Sequence, residues 1–221
     1  MAPSAEVKIQ TWHNSLMLQT SPRTMKGIPG GSLDPYKIEV FLQCHAATKA
    51  WNRANEKLMT VPPPGTGETM DHALSAAGDL QAFLVAAGIL SDLFFPGDKG
   101  SPDRGAALCS LYQVKPDSPL ADSKVRNSFV HVAERLDKWL PLHAGRPVGP
   151  FSIDHWEGPA PPPERAAHLR IIDTGNWRVL VRGDSLELLP LLKEIARIAT
   201  TVTLRVEGHG GAVAMRIGPA R

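Results

Sequence analysis

The sequence has little cysteine, no long hydrophobic run and no strong excess of either charge. Its two cysteines, Cys44 and Cys109, are too few for a disulfide framework, and no CxxC pair suggests zinc. The longest apolar stretch, residues 83–90, is too short to span a bilayer, and the N-terminal residues lack the apolar core of a signal peptide. We therefore expect a cytoplasmic protein with free thiols, no metal, no cofactor and no membrane association.

The charges nearly cancel, because 24 Lys and Arg residues stand against 22 Asp and Glu residues, for a net charge of +2. This balance excludes a strongly basic nucleic-acid coat protein and an acidic solvating tail, although it leaves room for a local basic site. With 221 residues, of which 43% are hydrophobic, the chain is long enough to bury a sizeable core.

Proline and glycine are concentrated in a few loops, and the densest cluster, GPAPPP at 158–163, predicts a stiff extended linker. The fold class that we predict is mainly α, with a small C-terminal α+β tail arranged as hairpin, helix and hairpin. The predicted regions are an N-terminal segment (1–32), a helical domain (33–142), a Pro-rich linker (143–164) and the tail (165–221).

Apolar residues between 33 and 142 recur at three- and four-residue spacing, which is typical of helices with one buried face. Asp34 is the predicted N-cap of the first helix. Trp51 is expected to pack in the core or in an interface, with stacking on a nucleic-acid base as the alternative. The four predicted helices are Pro35–Met59, Thr69–Phe95, Pro102–Tyr112 and Ala121–Leu140.

The tail combines short β-branched runs with one helical pattern. Residues 173–176 (DTGN) predict a hairpin turn. Asp184 and Glu187 predict a capping box, which accounts for the sequence GDSL without a hydrolase nucleophile. The predicted elements are strands at 168–172, 177–182, 200–206 and 212–217 and a helix at 186–198. Residues 164–221 also carry eight arginines and one lysine against six acids, which predicts either an RNA contact or a solvated face.

The last predicted helix of the helical domain contains the pattern R-N-x-x-x-H, formed by Arg126, Asn127 and His131. This pattern, with the polar residue directly after the arginine, resembles the RxxxxH signature of the HEPN superfamily. The surrounding run, from Lys124 to Trp139, is similar to uncharacterised bacterial HEPN-like proteins. The resemblance covers about half of the chain and leaves the tail unexplained.

The resemblance implies a HEPN-like helical bundle and a metal-independent endoribonuclease, of the kind found in toxins and antiviral defence or stress systems. In that family the ribose 2′-OH attacks the neighbouring phosphate, so the substrate is RNA. His131 would transfer protons, Arg126 would stabilise the charge on phosphorus, and Asn127 would hold the phosphate or the imidazole. Lys124 and Arg135 would bind RNA. The family's composite sites imply a homodimer, with an antitoxin or regulatory protein as a further partner.

Two other classes of function remain open at this stage. The first is a non-catalytic HEPN-like module that binds nucleotide, RNA or a protein partner. The second is a structural or assembly subunit in which Arg126 pairs with Asp122 on the helix surface and His131 is an ordinary surface residue.

Overall fold

The computed structural model describes residues 33–60, 67–97, 100–122, 136–138, 140–143, 152–154, 168, 170–181, 184–209 and 212–219. The described part is mostly helical and carries a small four-stranded sheet, so the mainly α class is confirmed at that level. The helices are α1 (Asp34–Met59), α2 (Gly67–Phe94), α3 (Pro102–Tyr112) and α4 (Leu188–Thr201). Short 3-10 helices cover Pro119–Ala121 and Leu140–His143. The strands are β1 (Ser152–Asp154), β2 (Arg170–Asp173), β3 (Arg178–Val181), β4 (Asp184–Glu187), β5 (Val202–His209) and β6 (Ala212–Pro219).

Helices α1 and α2 form an antiparallel pair that makes up most of the core. The Trp51 ring of α1 packs 5.3 Å from the Phe83 ring of α2, and Trp51 is only 6% exposed, which confirms the core prediction. The predicted N-cap of α1 is wrong. Leu33 holds that position without a side-chain cap, and Asp34 lies inside the first turn, where it pairs with Lys37 at 2.7 Å.

The boundaries of α2 and α3 lie within two residues of the predicted ones. Six apolar residues on one side of α2 form its buried face, and each is at most 8% exposed. They are Leu80, Phe83, Leu84, Ala87, Leu90 and Leu93. Helix α3 begins where the Ser101 hydroxyl accepts a hydrogen bond from the Arg104 amide at 3.3 Å. It ends at Gln113, whose left-handed backbone (φ 54°) turns the chain away.

The four-stranded sheet has the order β1-β2-β3-β4, with β1 parallel to β2 and the other neighbours antiparallel. The hairpin predicted at 173–176 is confirmed. The predicted capping box is wrong, because Asp184–Glu187 form β4, which pairs with β3, and α4 begins only at Leu188. The Leu188 amide donates to the Trp177 carbonyl at 2.8 Å. Strand pairing thus gives hydrogen-bond partners to backbone amides that the side chains of a capping box would otherwise have bound. Strands β5 and β6 form the second predicted hairpin.

One hydrophobic core joins the regions on the two sides of the Pro-rich segment. Helix α4 buries Leu188, Leu191, Ile195 and Ile198 in the same cluster as the buried residues of α1 and α2. The Trp177 ring packs 5.3 Å from that of Trp51. Within the predicted linker, residues 152–154 form β1. The predicted N-terminal segment, 1–32, lies outside the described residues.

Candidate functional site

The five residues predicted for the site lie in the segment 123–135, outside the described part of the chain. These are Arg126, Asn127 and His131 as the catalytic set, and Lys124 and Arg135 as the RNA-binding pair. The structure describes the two flanks of that segment. The predicted helix Ala121–Leu140 is seen as helical at 136–138.

The upstream flank is a short loop that is fixed to the core on both sides. Val114 (6% exposed) and Leu120 (1% exposed) are buried in the main cluster. The Ser118 hydroxyl caps the 3-10 helix by accepting from the Leu120 amide at 3.3 Å. That 3-10 helix packs against α2 and α4. The motif segment therefore starts from a point where three helical elements meet.

A polar network, which we call the α4 latch, ties this loop to α4. Glu194 accepts two hydrogen bonds from Arg197, from Nε and Nη2, each at 2.8 Å. The Ser118 hydroxyl donates to the same carboxylate at 3.1 Å. Arg197 Nη1 donates to the Tyr112 carbonyl at 2.9 Å, near the end of α3. The latch therefore connects α3, the loop and α4 through one bidentate ion pair.

The latch keeps both of its charged groups ionised. The hydrogen bonds from Arg197 lower the pKa of Glu194 and outweigh the effect of burial, which would raise it. The hydrogen bond from Ser118 and the charge of Lys115 also lower the pKa of Glu194. The bonds to Glu194 raise the pKa of Arg197. An ion pair with these shifts keeps its charges across the neutral pH range.

Beside the latch lies a cleft of about 360 Å³. It is lined by Gln113, Lys115, Asp117, Ser118, Pro119, Glu194 and Arg197. Its two basic and two acidic side chains cancel, so the cleft has no net charge to attract a phosphate. The Ser118 hydroxyl donates to Glu194 and accepts from Leu120, and no histidine is among the described residues that line the cleft. The described lining therefore offers Ser118 no histidine base that could activate it as a nucleophile.

Neither cysteine has the properties of a nucleophile. Cys44 is 1% exposed, and burial raises the pKa of its thiol to about 12. Burial also raises the pKa of Cys109, whose thiol donates to the Phe94 carbonyl at 3.4 Å. Within the described ranges, no group of three or more His, Cys, Asp or Glu residues could hold a metal ion.

Three arginines of the basic tail are engaged within the protein. Arg178 Nε donates to Asp173 at 2.7 Å, and both residues are buried. Arg170 Nη1 donates to Gln81 at 3.1 Å, and Arg197 belongs to the latch. Fewer arginines of the tail are therefore available to bind RNA than the net charge of the tail suggests. Sequence reasoning missed the latch, for which the only local signal is the i,i+3 spacing of Glu194 and Arg197.

Comparisons of the chain with models of protein families, with curated proteins and with solved structures found no match.

Proposed function

We propose that this protein is a metal-independent endoribonuclease that cuts RNA by attack of a ribose 2′-OH on the adjacent phosphate. The observation that carries the proposal is the motif R-N-x-x-x-H at 126–131, with its resemblance to the HEPN signature. The mainly helical body and the anchored loop before the motif support it, because they would hold the motif helix in a fixed position.

Each motif residue has a distinct role in this reaction. His131 takes the proton from the 2′-OH or gives one to the leaving 5′ oxygen, since an imidazole has a pKa near neutral. Arg126 presents a fork of donors to the oxygens of the pentacoordinate phosphorus. Asn127 holds the phosphate or fixes the imidazole tautomer. The products are a cyclic phosphate and a free 5′-OH.

The proposal of a composite site rests on the resemblance to the HEPN superfamily, in which two copies of the motif face each other across a dimer. Side chains five positions apart on a helix project about 140° apart, so Arg126 would have to bend back toward His131, whereas Asn127 and His131, four positions apart, share a face. A second copy that faces this surface would complete the site with its own motif. We therefore propose a homodimer with one Arg126–Asn127–His131 set from each chain.

The test is RNA cleavage in EDTA by the purified wild type and by His131→Ala, with the product ends mapped. A matched control is His72→Ala, which removes a histidine of α2 whose Nε2 lies 2.8 Å from the Lys57 carbonyl oxygen of α1. We expect the wild type and His72→Ala to leave cyclic phosphates, and His131→Ala to lose at least a hundredfold in rate. Equal cleavage rates for the wild type and His131→Ala would refute the assignment of His131 as a catalytic residue.

Lys124 and Arg135 are proposed to bind the RNA backbone. Replacing either with alanine should weaken RNA binding about equally for all sequences and reduce the salt dependence of binding by about one phosphate contact. If the wild type binds RNA with this salt dependence but never cuts it, the protein would be a non-catalytic RNA-binding module.

A further inference from the structure

The cleft beside the α4 latch has the size of a small-molecule site, and the fold itself holds its walls. Its volume of about 360 Å³ lies within the roughly 300–1,000 Å³ of typical ligand pockets. Ser118 in its lining is 7% exposed, and the hydroxyl of this residue donates to Glu194 and accepts from the Leu120 amide. These bonds join the loop to α4, so the shape of the cleft is fixed before any ligand binds.

Three polar side chains of the cleft are exposed, namely those of Gln113, Lys115 and Asp117. None of the three forms a side-chain hydrogen bond or an ion pair with another residue in the described part of the chain. By contrast, Glu194 and Arg197 in the same cleft bind each other. The cleft therefore presents an amide, an ammonium group and a carboxylate that are available to a ligand.

Gln113 occupies its position with a strained backbone. It follows α3 with a left-handed φ of 54°, a conformation that helices usually leave to glycine because a Cβ atom crowds the following carbonyl. Among the described residues, only Trp177 shares this combination of a side chain and a positive φ, and Trp177 packs on Trp51 in the core. The exposed Gln113 has no such packing role. Residues strained in this way cluster at ligand sites, which is a second indication that the cleft binds one.

The charge balance of the cleft selects the class of ligand. Because its two basic and two acidic side chains cancel, a phosphate group gains little there. A neutral ligand with both donors and acceptors fits better, because it can bond to the carboxylate and to the ammonium group at once. Arg197 adds a flat surface, since three of its nitrogens donate within the protein while its side chain stays 39% exposed. Unstacked RNA bases are flat, carry donors and acceptors, and stack on guanidinium planes.

We propose that this cleft binds a guanine base of the RNA substrate. The Asp117 carboxylate accepts from N1–H and N2–H of the base, and the Lys115 ammonium group donates to O6 or N7. Glu194 does not compete for these donors, because it is already bonded to Arg197 and Ser118.

The carboxylate accounts for the choice of guanine among the four bases. The Watson–Crick edge of guanine places two N–H donors side by side, so one carboxylate can accept from both. Adenine, cytosine and uracil each place an acceptor next to the donor on that edge, and a carboxylate repels this acceptor. The cation two residues away from Asp117 then meets the acceptor side of guanine.

The inference rests on the proposed function, because a guanine bound here would position the RNA for cleavage at the motif. Pro119 in the cleft lies seven residues before Arg126. A chain of that length spans at most about 25 Å. The cleft is therefore within reach of a short run of nucleotides from the phosphate that is cut, and it would act as a specificity subsite of the same enzyme.

The first test measures binding of GMP, IMP and AMP to the full chain by isothermal titration calorimetry. The three nucleotides share sugar and phosphate, whereas IMP lacks the 2-amino group of GMP and AMP lacks both N–H donors that Asp117 binds. We expect GMP to bind at least tenfold more tightly than AMP, with IMP between them. Equal binding of all three, or no binding of GMP at millimolar concentration, would overturn the proposal.

The matched variants are Asp117→Asn in the cleft and Asp103→Asn outside it, at an exposed position in the first turn of α3. Asp117→Asn should lose the preference for GMP over AMP, and Asp103→Asn should keep it. Both variants should unfold at the wild-type temperature, since neither replaced side chain is buried. A preference for GMP that survives in Asp117→Asn would overturn the proposal, because the guanine would then bind elsewhere.

The second test compares cleavage of short RNAs that carry guanine or adenine at a single position. The ratio of kcat/KM for the two RNAs should exceed ten for the wild type and approach one for Asp117→Asn. A ratio near one for a wild type that cuts RNA would overturn the proposal.

Nucleotide binding does not depend on cleavage, so the guanine site and the ribonuclease can fail separately. A preference for GMP that requires Asp117, without cleavage of any RNA, would support the guanine site and remove the proposed activity. Cleavage that requires His131, with equal binding of GMP and AMP, would leave the activity and overturn the guanine site.

Discussion

Replacing Asp173 by asparagine is expected to destabilise the fold by about 3 kcal/mol, because it breaks a buried ion pair and leaves the positive charge without a partner. The Asp173 side chain is fully buried and that of Arg178 is 10% exposed, with Arg178 Nε at 2.7 Å from the carboxylate. The same carboxylate accepts from the amides of Gly175 and Asn176 at 2.9 and 3.2 Å, and from the Asn176 side chain. Asparagine keeps the shape but loses the charge and part of these acceptors.

A loss of about 3 kcal/mol is a large share of the 5–15 kcal/mol that holds a typical domain. The assay is urea unfolding followed by tryptophan fluorescence, since Trp177 beside the turn packs on Trp51 in the core. With an ordinary urea dependence, the midpoint should fall by roughly 1 M. Asp79→Asn is the control, because its partners Arg53 and Lys57 are 53% and 29% exposed and such solvent-exposed pairs contribute about 1 kcal/mol or less each.

The pH dependence gives the same prediction a second measurement. Burial alone would raise the pKa of Asp173, but hydrogen bonds from Asn176, Arg178 and Gly175 outweigh it and lower the pKa below its ordinary value. A carboxylate with a lowered folded pKa contributes stability that is present above the unfolded value, about 3.9, and is lost as the pH falls through the folded value. The difference in stability between wild type and Asp173→Asn should therefore shrink in acid. A difference below 1 kcal/mol at neutral pH, equal to that of Asp79→Asn, would refute the reasoning.

Three further changes test other parts of the structure. Tyr112→Phe should be neutral or stabilise by about 1 kcal/mol in thermal unfolding, since the buried hydroxyl has no hydrogen-bond partner among the described residues; a loss above 1 kcal/mol would reveal a partner. Glu194→Gln should cost about 1–2 kcal/mol in urea unfolding, less than Asp173→Asn because Arg197 is 39% exposed, and an equal cost would contradict the ranking by burial. Gly78→Ala should raise stability by about 0.5–1 kcal/mol, since the added Cβ meets nothing; a lower midpoint would mean that the position is already occupied.

Much of the helical part could be predicted because its signals are local. The boundaries of α3 follow from Ser101, Pro102 and the turn after Tyr112. The boundaries of α2 follow from apolar residues at helical spacing, which are buried in the core. The hairpin at 173–176 is equally local, because the Asp173 side chain organises its own turn. Such features depend on residues within about four positions of each other, so they can be predicted from the local sequence.

The wrong predictions concern residues for which the sequence allowed two local structures. Asp184 and Glu187 have the spacing of a capping box, but their backbone completes a sheet with β3. Asp34 precedes a proline and has a side chain suited to an N-cap. The helix nevertheless begins one residue earlier than predicted, at Asp34 itself, and the Asp34 carboxylate pairs with Lys37 instead.

The sequence by itself determined the mainly helical class, the approximate positions of α1, α2, α3 and α4, the hairpins β2–β3 and β5–β6, and the motif on which the proposed chemistry depends. Tertiary structure alone decided that Arg170, Arg178 and Arg197 are bound within the protein, that α4 shares the core of α1 and α2, and that α2 exposes a second apolar face. The reason is physical. Helical periodicity and turn chemistry act between near neighbours, whereas burial and charge pairing depend on which distant segments meet, and a residue's own surroundings in the sequence do not specify that.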